Sequence, residues 1–98
     1  MLVNVNEILK SFSGETMKDI VDGEAVDATV KMAIVNAVLS PVQNEKGVDK
    51  VKKYELAKKV FNADEVDLDE DEIKLIKDRV GEVFPPVIVG QIYELLKV

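Results

Sequence analysis

"DATVKMAIVNAVLSP", residues 27–41, decides the fold, because between Val30 and Leu39 only Lys31 and Asn36 are strongly polar. Valine and isoleucine at this density would equally suit a buried strand, but a ten-residue run favours a helix. A helix that is apolar almost all round belongs in the middle of a bundle. The stretch is therefore predicted to be the central helix, with Asp27 as its N-cap and Pro41 closing it.

Downstream, "VDKVKKYELAKKVF" (48–61) sets Val51, Tyr54, Ala57 and Phe61 along one face, with Leu56 and Val60 beside it. Asp49 is its expected cap, and Asn62 can take a left-handed exit conformation. "DEDEIKLIKDRV" (69–80) repeats the pattern through Ile73, Ile76 and Val80, with Gly81 just past the end. Pro85 and Pro86 then open "VIVGQIYELLKV" (87–98), where Gln91, Glu94 and Lys97 form the polar stripe. Gly90 inside it costs roughly 1 kcal/mol relative to alanine, or marks a close-packing point.

Upstream, "NVNEILKSF" (4–12) places Val5, Ile8, Leu9 and Phe12 on one side of a short helix, capped by Asn4 with Glu7 three residues on. A strand over residues 1–6 competes, since "LVNV" also alternates. In "GETMKDIVDGEAV" (14–26), Asp22-Gly23 is a two-residue turn signal, predicting a hairpin from Thr16–Val21 and Glu24–Val26. The expected fold is mainly α: one domain over 1–98, with a short helix and β-hairpin in 1–27 and a helical core in 28–98, four to five helices in all. Val30, Ile34, Val38, Tyr54, Ala57, Phe61, Ile73, Ile76, Val80 and Ile92 are the expected core.

Composition narrows function by exclusion. The 98 residues contain no cysteine and no histidine. That removes disulfides, thiolate nucleophiles, the usual zinc ligands, and the usual general base near neutral pH. No phosphate-cradling glycine loop or nucleophile elbow occurs, and Ser11, Ser13 and Ser40 lack a histidine partner. Glu15, Asp19, Asp22 and Glu24 read as turn and surface residues. No enzyme activity and no cofactor are expected. The N-terminus lacks the pattern of a signal peptide and no apolar run spans a membrane, so cytoplasmic residence is the expectation. A net charge of −6 disfavours general attraction to nucleic acid or anionic membrane.

Seven carboxylates occupy the nine positions from Asp64 to Glu72. Three readings compete: a divalent-ion loop, an anion-mimicking surface, and a helix start. Asp67, Asp69 and Asp71 fit the first positions of a calcium loop. Glu72 stands where glycine is needed for the sharp turn, and Asp78 where a bidentate glutamate is needed. Asp69 to Glu72 has the form of a capping box, with Leu68 and Ile73 placed as a hydrophobic staple, acids in the first turn and Lys77 and Arg79 in the last, as the helix dipole favours. Helix start accounts for the most residues, and no metal is expected. Lys46, Lys50, Lys52, Lys53, Lys58 and Lys59 form a basic block with no arginine, read as a solvated face rather than a nucleic-acid patch.

The stretch from Lys50 to Leu96, with its "KKYELA", "VDL", "DEIKLIK" and "PPVIVGQ", and the preceding "VNAVLSPVQNEKG" (35–47), together roughly the last two-thirds of the chain, resemble small acidic proteins of tailed bacteriophages and prophages. The resemblance implies a viral setting and carries no activity or site residue. With the chemistry so bare, the expected function is a phage-encoded protein-binding module: an adaptor or inhibitor of a host or phage protein. The alternative is a virion structural component or a head or tail assembly chaperone. The expected partner is another protein or a second copy. Eleven of the nineteen residues from Val80 to Val98 are Val, Ile, Leu, Phe or Tyr. Phe84, Val87 and Tyr93 beside the Pro85-Pro86 turn are therefore the candidate interface.

Overall fold

The computed structural model describes residues 1–97. Its central element is helix α1, Val30–Leu39, which buries Val30, Ala33, Ile34, Ala37 and Val38. Helices α2 (Gly47–Phe61) and α3 (Glu70–Val83) both pack on it, and α4 (Pro86–Leu96) packs on α3. Ile34 and Val38 meet Leu56, Ala57 and Val60 of α2, Ile76 and Val80 of α3, and Ile92 and Leu96 of α4 in one buried cluster. The short ends of α1 are tied down by side chains. Thr29, not Asp27, is its N-cap, accepting from the Met32 N–H at 3.3 Å. At its far end the buried Arg79 donates from Nε to the Ala37 carbonyl, placing a cation where the helix dipole favours one.

The N-terminal segment is the main departure from expectation. Residues 4–12 form no helix. Strand β1 (Leu2–Asn4) pairs antiparallel with β4 (Glu65–Asp67), Val3 opposite Val66, and both valines are buried. The chain stays extended beyond β1 because its carbonyls are committed elsewhere: Glu7 and Val5 accept from the N–H groups of Val30 and Lys31 at 2.9 and 2.7 Å. Those are first-turn donors of α1 with no partner inside the helix. A helix over 4–12 would withdraw these acceptors. Val5 and Leu9 still enter the core, while Ile8 and Phe12 face solvent. The fold is thus mixed: four helices with two small antiparallel sheets among the described residues.

The second sheet is the expected hairpin, β2 (Lys18–Val21) with β3 (Glu24–Asp27). Asp22 and Gly23 take φ of 52° and 82°, as a two-residue turn of this hand requires. Lys18 and Asp27 pair across its base.

Helix α2 is rotated relative to the predicted face. It buries Lys53, Leu56, Ala57 and Val60, leaving Tyr54 and Phe61, both expected in the core, more than half exposed. The reason is Lys53, whose ammonium pairs with Glu45 in the preceding loop, both side chains only 11% exposed. Lys46 rather than Asp49 occupies its N-cap, and Asn62 leaves the helix at φ −88°, not left-handed. Ile73 is only half-buried. Helix α3 runs through Gly81 to Val83, so Lys77 and Arg79 do not lie in its last turn. Open space surrounds the position a Cβ would take at Gly90, which is no packing point. Gln91 does more than face water: its side chain holds Lys10 through both backbone N–H and carbonyl, at 2.8 and 2.7 Å.

Candidate functional site: an apolar trough between two helices

The acidic run divides into separate local tasks. Asp64 accepts from Asn6 Nδ2 at 2.7 Å. Asp67, at the end of β4, receives the N-terminal ammonium at 2.9 Å. That hydrogen bond, and then the ammonium's charge, holds the Asp67 carboxyl below its ordinary range. Asp69 caps α3: its side chain accepts from the Glu72 N–H at 2.8 Å, and Glu72 accepts from the Asp69 N–H at 3.0 Å. Lys59 of α2 then grips both oxygens of Glu72 at 2.9 and 3.1 Å. The helix begins at Glu70 and fills the stretch a calcium loop would need. No group of three or more His, Cys, Asp or Glu suited to a metal occurs among the described residues.

Phe84, Val87 and Tyr93 are half-buried. Phe84 and Tyr93 pack against the core. Tyr93 is held on both sides, its hydroxyl donating to the Lys77 carbonyl at 2.9 Å and the Lys77 ammonium lying 5.5 Å from its ring centre. Its oxygen also lies 2.9 Å from where a Cβ at Gly81 would sit, so glycine there lets the ring approach α3. Tyr93 thus fastens α4 to α3.

The larger apolar exposure is elsewhere, in side chains that α2's rotation leaves uncovered. Val35 and Leu39 of α1 and Tyr54, Ala57 and Phe61 of α2 line a groove of about 250 Å³. Leu39, Tyr54 and Phe61 are 51, 55 and 57% exposed. Lys58 stands at its rim, 4.9 Å from the Tyr54 ring centre. Val35 and Phe61 also line a second hollow of about 580 Å³, continued by Met32 and by Ile20 and Val21 of β2. Together they form one trough running from the hairpin across both helices. With Ile20, Leu39, Tyr54 and Phe61 each more than half exposed, it offers roughly 500 Å² of apolar surface, the size of the largest patch on a typical monomer, which is often a functional one.

Sequence periodicity missed this site. It assigned Tyr54 and Phe61 to the core and gave Leu39 and Ile20 no role. The signal was present in α2, where apolar residues occupy two adjacent stripes, Leu56-Ala57-Val60 and Val51-Tyr54-Phe61. Against the small cross-section of α1, one helix face buries one stripe and leaves the other outside.

No family model, curated protein or solved structure matches the chain. Among the described residues no helix is long and apolar enough to cross a membrane.

Proposed function

We propose that this chain is a protein-binding module without catalytic activity, and that the trough between α1 and α2 is its docking surface. The carrying observation is the contiguous exposure of Leu39, Tyr54 and Phe61 around the half-buried Val35. Aromatic side chains over an apolar floor, rimmed by charge, are the usual anchor of an interface. The lack of cysteine and histidine supports a role without chemistry of its own. The resemblance to proteins of tailed bacteriophages suggests the setting: an adaptor or inhibitor acting on a host or phage protein.

The test is affinity capture with four matched proteins: the native chain, Leu39→Lys and Phe61→Lys in the trough, and Val87→Lys on the C-terminal surface. Polypeptides retained by the native chain and by Val87→Lys, but lost from both trough variants, are the expected result. Retention indifferent to the trough substitutions and lost only with Val87→Lys would move the interface to Phe84, Val87 and Tyr93.

A further inference from the structure

One apolar side chain is more exposed than any in the trough, and it sits on a turn built to hold it out. Phe12 is 98% exposed. Gly14, at φ 95°, donates to the Ser11 carbonyl at 2.9 Å, and Ser11 donates to the Glu15 carbonyl at 2.7 Å. The Glu15 N–H reaches Ser11 Oγ at 3.2 Å, and the Ser11 and Ser13 hydroxyls lie 3.1 Å apart. Below the turn, Lys10 bridges Thr16, and Gln91 of α4 grips both backbone groups of Lys10. A phenyl ring is therefore presented to water on a fixed support, which lowers the ordering cost of inserting it into a partner.

The molecule also carries a place for such a ring. An apolar cavity of roughly 150 Å³ accommodates benzene, and the groove between α1 and α2 measures about 250 Å³. Charge agrees with size. Residues 7–27, which carry Phe12, hold six carboxylates and two lysines, a net −4. Residues 46–59, which supply one groove wall, hold six lysines and two carboxylates, a net +4. The acidic part bears the knob, and the basic part bears the α2 wall of the groove, with Lys58 at its rim.

Resting on the docking role of the trough, we propose that its occupant is a second copy of this chain, whose Phe12 inserts between α1 and α2. Knob and hole are different surfaces, so the contact is head-to-tail unless two copies engage reciprocally. The trough's roughly 500 Å² is close to the apolar share of the roughly 800 Å² that each partner buries in a standard interface. A contact that repeats in this way suits an assembling component, the alternative raised by the phage resemblance.

Sedimentation equilibrium of the native chain, Phe12→Ala and Leu39→Lys decides the matter, with circular dichroism confirming that each is folded. The native chain should associate with rising concentration, more weakly as salt screens the charges. Phe12→Ala should weaken association by about tenfold or more, as loss of an aromatic anchor does. Leu39→Lys should do the same with its Phe12 intact. Mixing the two variants pairs one intact hole with one intact knob, and should yield a 1:1 dimer and nothing larger. If Leu39→Lys fails to fold, Tyr54→Lys takes its place on the opposite wall. A native chain that stays monomeric, or a Phe12→Ala chain that associates like the native one, would refute self-docking. Trough-dependent capture of a different protein would then leave the docking role standing and the second copy excluded.

Discussion

Lys53 and Glu45 set the orientation of α2, and they do so as a desolvated pair. Each side chain is only 11% exposed. Removing one partner strands the other's charge against Val38 and Pro41, which with them line the same hollow. Lys53→Ala should therefore cost about 3 kcal/mol, the scale of breaking a buried pair. Replacing both residues by methionine should recover most of that loss, since apolar packing can match a buried ion pair. Denaturant midpoints of Lys53→Met, Glu45→Met and the double variant measure the coupling. Equal, additive losses would show that the two charges act independently. The same pair explains why Tyr54 reads as core in the sequence: a lysine at position 53 argues for solvent until its carboxylate, eight residues earlier in a loop, is seen.

At the scale of elements, the start of α3 was legible and its reach was not. Asp69 and Glu72 announce a capping box by spacing alone, and the structure contains both of its hydrogen bonds. Asp69→Ala should cost about 0.5–2 kcal/mol while Asp69→Ser costs little, because either oxygen can accept from the third N–H. Thermal melts of the two variants separate these outcomes; equal losses would mean that charge, not the cap, matters. The end of α3 went unread because Gly81 is a stop signal only when nothing lies beyond it. Here Tyr93 fills the space above the glycine and the helix continues. The hairpin and the proline start of α4 were likewise legible, both resting on local turn chemistry. The strand pair β1–β4 was not, since Val3 and Val66 meet only in the folded chain. The site was the least legible part. Periodicity distinguishes apolar from polar positions, but not a covered stripe from the uncovered one beside it.

At the scale of the whole molecule, the first strand is fastened by charge as well as by pairing. The N-terminal ammonium donates to Asp67 at 2.9 Å and to the Leu68 carbonyl at 2.8 Å. Because Asp67 titrates below its unfolded value of about 3.9, its contribution is fully present above that pH. It is lost as pH falls through the lower folded value. Carbon-13 titration of the Asp67 carboxyl should give a midpoint below that of an unfolded chain. Acetylating the terminus, which removes the ammonium, should move the midpoint back up. A midpoint unchanged by acetylation would mean that the ammonium contributes nothing. The pairing of β1 with β4 has one more consequence, in time rather than in energy. When Leu2–Asn4 are made, their partners at Glu65–Asp67 lie some sixty residues in the future. At about 5–20 residues per second, a ribosome takes several seconds to supply them. Throughout that interval Val3 and Val5 wait as bare apolar residues, made some sixty residues ahead of the strand that covers them.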